Sequence, residues 1–227
     1  MKKTLNAVGK KHRFGKAWMH EHVNDPFVKE ATRLGYRSRA AFKLLQLDER
    51  DALLRKGIRA VDLGAAPGSW SQVLAKKLGP GSTVVAVDVL DMAPLRGVSF
   101  IQADFSTDEG LESVEHALGD RPVDLVVSDM APNLSGIDSV DQARGIHLGE
   151  LALEFAVDRL QPGGDFVVKA FQGEGFDAFQ REVSRHFVKT YVRKPAASRD
   201  RSREVFIVGK GFRSGAPADG APPPSGR

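Results

Sequence analysis

The sequence contains no cysteine, which excludes disulfides, thiolate nucleophiles and Cys-ligated zinc. No apolar run approaches the roughly 20 residues that span a bilayer, and the first residues lack the apolar stretch of a signal peptide. A cytoplasmic protein with no membrane partner and no metal is therefore expected. Aromatic residues make up only 7% of the chain. That is too few for the dense stacking platform of a single-strand binder, so a nucleic-acid partner would be met through its shape and phosphates. Acidic residues are also missing from the start of the chain, where Lys2, Lys3, Lys10, Lys11, Arg13 and Lys16 all precede Glu21.

What is present suits one compact α/β domain with short additions: 227 residues, 41% of them hydrophobic, with a net charge of +4. The positive charge is concentrated. After the N-terminal cluster come Arg33, Arg37, Arg39 and Lys43, then Arg193, Lys194, Arg199, Arg201 and Arg203. Such clusters favour a polyanion by releasing its counterions, although charge alone reads equally well as solvated surface. Residues 1–20 read as a basic flexible tail and 21–212 as the folded domain. Residues 213–227, ending in a Gly/Ala/Pro-rich run, read as a disordered tail.

Asp25-Pro26 predicts a capped helix to about Leu34, closed by Gly35, and Ser38 predicts the cap of a second helix. Apolar runs then alternate with helical stretches. Ile58–Leu63, Thr83–Val89, Val98–Gln102, Val123–Ser128 and Asp165–Phe171 read as strands, with helices such as Ser69–Leu78 and Ile146–Leu160 between them. That alternation predicts a parallel, doubly wound sheet. Phe187–Val192 and Glu204–Val208 have only a polar loop between them, which predicts antiparallel pairing at a sheet edge.

The strongest local motif is Asp62-Leu-Gly64-Ala-Ala-Pro-Gly68-Ser-Trp70, leaving a strand and entering a helix. Gly64 and Gly68 allow a tight turn and a close approach to a ligand. Asp88 ends the next strand, where an acid can accept both hydroxyls of a ribose. Asp104 follows the third strand and can meet an adenine amino group. The G-x-x-x-G spacing favours S-adenosylmethionine over a dinucleotide, with Asp62 placed to organise the amino-acid end of the cofactor. Trp70 reads either as cofactor wall or as core.

Four charged residues stand in costly places. Lys169 lies inside an apolar strand, Asp129 at the carboxyl end of another, Glu204 at the start of the last, and Lys43 among apolar residues of the second helix. Buried lysine is uncommon unless paired. Taken singly, Lys169 also reads as a strand-end lysine reaching for water, and Glu204 as ordinary edge-strand charge.

These residues carry a resemblance. The chain resembles the RlmE/FtsJ (RrmJ-type) family of RNA ribose 2′-O-methyltransferases from Trp18 to about Gly209. The matching blocks are Arg37–Leu44, Asp62–Gln72, Ser128–Asn133, Val167–Lys169 with Phe171–Gly175, and Ser202–Val205. The resemblance implies a Rossmann-like class I S-adenosylmethionine methyltransferase: a mostly parallel seven-stranded sheet with one antiparallel edge strand and helices on both faces. It places a catalytic tetrad on Lys43, Asp129, Lys169 and Glu204. Cofactor contacts fall on Gly68, Trp70, Asp88, Asp104 and Asp129. The implied substrate is a uridine in the A loop of 23S ribosomal RNA, within the large (50S) subunit, modified during ribosome biogenesis; a monomer is the default expectation. Ser69 departs from the family's usual glycine.

On this reading Lys169 is the base that takes the 2′-hydroxyl proton. Lys43 would favour its deprotonation as a like charge, while Asp129 would oppose it and orient it. Arg37, Arg39 and the Lys194–Arg203 loop are expected to contact RNA. Three rivals are weaker. A vestigial RNA-binding protein would not need the whole tetrad. A base or protein N-methyltransferase would carry an Asn-Pro-Pro-Tyr-like motif where Asp129-Met-Ala-Pro132 stands. An NAD-dependent enzyme would space its glycines differently. Within the 2′-O class, tRNA and messenger caps stay open as acceptors.

Overall fold

The computed structural model describes residues 25–214 except 134 and 200. The basic tail expected over 1–20 and the Pro-rich tail from 215 onward lie outside the described residues.

Helix α1 (Pro26–Leu34) starts as its sequence dictates. The Asp25 carboxylate accepts from the N–H groups of Phe27 and Val28, Pro26 occupies the first turn, and Gly35 ends the helix at φ 69°. Helix α2 (Ala40–Asp51) follows; Ser38 Oγ accepts from Ala40 N–H at 3.2 Å. The sheet comprises β1 (Arg59–Leu63), β2 (Thr83–Asp88), β3 (Ser99–Gln102), β4 (Val123–Ser128), β5 (Leu160–Phe171), β6 (Phe187–Arg193) and β7 (Glu204–Phe212), in the order β3-β2-β1-β4-β5-β7-β6. The first five are parallel. β7 runs antiparallel to both β5 and β6. The single antiparallel strand thus belongs to this end of the sheet, one place in from edge strand β6.

The connecting helices are α3 (Ser69–Leu78), α4 (Asp108–Leu118), α5 (Asp138–Arg159) and α6 (Phe176–His186). Alternate strand residues serve opposite faces. Val61, Val85, Val126, Phe166 and Ile207 pack with Val114, Phe155 and Phe179 of α4, α5 and α6. Ala60, Val84, Val127, Val167 and Phe206 pack with Leu44, Leu47, Trp70 and Leu74 of α2 and α3. Two buried faces explain why the central strands read as unbroken apolar runs.

Three boundaries differ from expectation. β7 runs on past Val208 to Phe212, because it pairs along its length with β5 on one side and β6 on the other. α5 begins at Asp138, two turns ahead of Ile146, because its acidic first turn (Asp138, Asp141) complements the helix dipole while carrying no apolar stripe. β5 begins at Leu160, ahead of Asp165, since its Pro-Gly-Gly stretch is absorbed by an irregular register against β4. Among the described residues no helix is long and apolar enough to cross a membrane.

Candidate active site at the carboxyl edge of the sheet

Strand order reverses between β1 and β4, and in such sheets a crevice opens there beyond the carboxyl ends of the strands. Four acids come off these ends: Asp62 from β1, Asp88 from β2, Asp104 just past β3 and Asp129 just past β4. Asp129 N–H donates to Leu63 O at 3.2 Å, extending the β4–β1 ladder by one residue and fixing where the acid stands.

Asp62 is fully buried. Ser71 Oγ donates to its Oδ2 at 2.6 Å, whereas Oδ1 has no hydrogen-bond partner among the described residues. Burial pushes this carboxyl up to about 7; the Ser71 hydroxyl opposes the rise and the charges of Asp129 and Asp88 add to it. Asp88 is used by the main chain on both oxygens, from Ala66 N–H at 2.9 Å and Leu90 N–H at 2.8 Å. Asp104 is exposed, and the hydroxyl and N–H of Ser106 hold its carboxyl below the usual range.

The turn from β1 to α3 passes through Gly64 at φ 78° and Gly68 at φ 100°. Close approach is needed at both, but to protein. A Cβ on Gly64 would meet the main chain of Met130, and one on Gly68 would meet Arg37 Nη1 and Met92 Sδ. The first main-chain bond of α3 runs from Gln72 N–H to Gly68 O; the N–H of Ser71 faces the Asp62 carboxyl, and those of Ser69 and Trp70 precede it and make an anion-binding end. The Trp70 ring is core: it is 2% exposed, lies 5.6 Å from the Phe206 ring and donates Nε1–H to Ala40 O at 2.8 Å. What Trp70 presents at the turn is its main chain. Ser69, the departure from glycine, shares a 2.6 Å hydrogen bond with Ser38 Oγ.

The four candidate catalytic residues form two ion pairs on one face of the sheet. Lys169 stands opposite Phe206, which packs under α2, and Glu204 lies two residues before Phe206 on β7, so Lys169 and Glu204 share that face. Lys169 Nζ lies 3.0 Å from Asp129 Oδ1 and donates to the Asp129 main-chain oxygen. Lys43 Nζ lies 2.7 Å from Glu204 Oε1 and 2.8 Å from Oε2. The structure corrects one expectation here. Lys43 is compensated by Glu204, so it is not a bare positive charge turned on Lys169.

The basic residues expected to bind RNA also have partners within the fold. Arg37 donates to the main-chain oxygens of Pro67, Ala93 and Pro94, clamping the turn to the loop after β2. Arg39 pairs with Asp25 and donates to Ala197 O. Both guanidinium groups hold parts of the fold together, Arg39 through Nη1 and Nη2. Charge patterning reported the clusters but not their carbonyl partners, which lie far away in sequence.

Sequence reading also passed over Ser71, Gln72, Gln142 and Ser198. Gln72 donates to Gly35 O and accepts from Arg37 N–H. Gln142 is buried and ties down the loop after β5 through Phe171 O and Glu174 O. Small polar residues at such positions carry no distinguishing spacing. Only the fold reveals what they hold.

Comparison with known proteins agrees with this fold. Residues 36–212 match the FtsJ-like methyltransferase family. A relative from Azoarcus sp. named Ribosomal RNA large subunit methyltransferase E is 55% identical over 204 residues, covering 90% of this chain and 100% of the relative. A Pseudomonas aeruginosa protein of the same name is 52% identical, covering 86% of this chain and 95% of its own length. A crystal structure of a Plasmodium falciparum protein described as a ribosomal RNA methyltransferase superposes with TM-score 0.69 at 28% identity, covering 78% of this chain and 98% of that one. The chain belongs to the FtsJ-like methyltransferase family.

Proposed function

We propose that the protein methylates the ribose 2′-hydroxyl of a uridine in the A loop of 23S ribosomal RNA, with the large (50S) subunit as substrate and S-adenosylmethionine as donor. The observation that carries this reading is the Lys169–Asp129 pair at the carboxyl edge of the sheet, with the Lys43–Glu204 pair on the same face. End-to-end similarity to relatives named for the large-subunit RNA supports the choice of substrate.

The donor set suits the cofactor. Asp62 Oδ1, buried without a partner, matches an ammonium group, and the N-terminal end of α3 matches a carboxylate. Each Asp88 oxygen accepts one N–H and retains a second lone pair for a ribose hydroxyl. Asp104 would take the adenine amino group. When bound, S-adenosylmethionine supplies an electrophilic methyl carbon on a sulfonium.

The chain's own residues align the acceptor and move its proton. In-line displacement gains most of its rate from holding the 2′-oxygen on the methyl–sulfur axis. Lys43 and Glu204 hold the ribose. Lys169 Nζ, in its neutral amine form, receives the 2′-hydroxyl proton as oxygen attacks. The adjacent Asp129 carboxylate stabilises the ammonium so formed and fixes its position through both its main chain and its side chain.

Tritium transfer from labelled S-adenosylmethionine to unmodified large subunits, free ribosomal RNA and tRNA tests this reading. Label on the subunits at an alkali-resistant linkage is the expected result. Cofactor binding with no label on any RNA would point to another acceptor.

A further inference from the structure

The polar loop between β6 and β7 bears on the Lys43–Glu204 pair through a serine. Ser198 is 3% exposed. Its N–H closes a turn onto Pro195 O at 2.8 Å, and its hydroxyl donates to Glu204 Oε1 at 2.9 Å. The preceding residue is clamped from both sides. Ala197 N–H donates to Gln46 Oε1 at 2.9 Å, and Ala197 O accepts from Arg39 Nη2. Gln46 and Lys43 lie one turn apart on α2. The loop is therefore locked to the helix that carries Lys43 and presents a hydroxyl to the glutamate that Lys43 pairs with.

We propose that Ser198 is a positioning residue for methyl transfer, fixing the rotation of the Glu204 carboxylate so that the Lys43–Glu204 pair meets the acceptor ribose in one geometry. The inference rests on the reading that this pair holds the ribose. The Lys43 ammonium meets both carboxylate oxygens and so fixes where the carboxylate points, but a point charge does not set its rotation about that axis. A hydroxyl on a pinned turn supplies the missing direction. Small misplacement of a positioning group is expensive: a shift of about 1 Å can cost roughly 100-fold in rate.

The test measures steady-state turnover of Ser198→Ala and Ser198→Cys on unmodified large subunits, with thermal melting and cofactor affinity alongside. Cysteine keeps the shape and offers only a weak donor. The expected result is a kcat roughly tenfold lower for alanine and an intermediate value for cysteine. KM for RNA and for S-adenosylmethionine should stay within about twofold, and melting should be unchanged. Wild-type kcat in Ser198→Ala overturns the proposal. So does a fall accompanied by shifts in both KM values and in melting, which marks a merely structural role. If the alanine variant does not fold, the cysteine variant decides, and wild-type kcat there overturns the proposal. Glu204→Ala separates the two levels: full turnover in that variant would remove the ribose-holding reading itself.

Discussion

The guanidinium of Arg37 fills the space that a side chain on Gly68 would need, with Met92 Sδ closing the other side. The turn between β1 and α3 and the arginine clamp are therefore one unit. Gly68→Ala should strain the backbone at φ 100°, at about 1–3 kcal/mol, and displace Arg37. The expected outcome is a melting temperature lower by roughly 4–8 °C and cofactor affinity weaker by at least about tenfold, read by thermal melting and calorimetry. Arg37→Glu should weaken S-adenosylmethionine binding too, since three main-chain oxygens would then face a carboxylate. If it lowered RNA affinity while leaving cofactor affinity intact, Arg37 would be an RNA contact after all.

Arg39 should report on stability. Its side chain and that of Asp25 are only 16% and 9% exposed, and breaking so enclosed a pair leaves an uncompensated charge, which costs on the order of 3 kcal/mol. Arg39→Glu should therefore lower the melting temperature more than Asp25→Asn, which removes the charge but keeps a helix cap. It should also reduce turnover, because Ala197 loses its donor beside Ser198. Equal melting temperatures for wild type and Arg39→Glu would contradict this account.

The parts of the fold that sequence revealed were those governed by local chemistry. Asp25, Pro26 and Gly35 bound α1 because capping is decided within a few residues. Strands β1, β2 and β4 declared themselves because burial on both faces leaves apolar runs. The Lys169–Asp129 pair was legible in part because a lysine inside an apolar strand is anomalous without a partner, and Lys169 does have one in Asp129. What stayed hidden depends on distant contacts. Arg37 looks the same in sequence whether it faces RNA or the oxygen of Pro67. The Trp70 ring turns inward because Ala40 O and Phe206 are there to receive it. Ser198 was masked by the arginines around it.

Lys169→Ala should abolish turnover on large subunits, a loss of at least about 100-fold for a proton acceptor, while S-adenosylmethionine still binds. Lys169→Arg should fail as well, because a guanidinium stays protonated and cannot accept the 2′-hydroxyl proton. Single-turnover methyl transfer beside calorimetric cofactor binding checks both. Turnover in Lys169→Arg near the wild-type rate would mean that Lys169 contributes charge alone and that the proton leaves by another route.

Asp62 should make both stability and cofactor capture depend on pH. Its carboxyl ionises near 3.8 when exposed and near 7 in the fold. Below about pH 4 both states hold the proton. Between there and pH 7 the unfolded chain loses it while the folded chain keeps it, so stability falls as pH rises across that window, by about 4 kcal/mol in all. Asp62→Asn retains an acceptor for Ser71 and cannot ionise. It should match the wild type near pH 4 and exceed it near pH 8 in the absence of cofactor. An ammonium arriving at Oδ1 favours the ionised acid, so binding at pH 6 should release a proton, and affinity should rise with pH up to about 7. Calorimetry in two buffers of different ionisation heat counts that proton directly. Identical heats in both buffers would place Asp62 in its charged form before the cofactor arrives, and the asparagine variant would then show no stability gain at high pH.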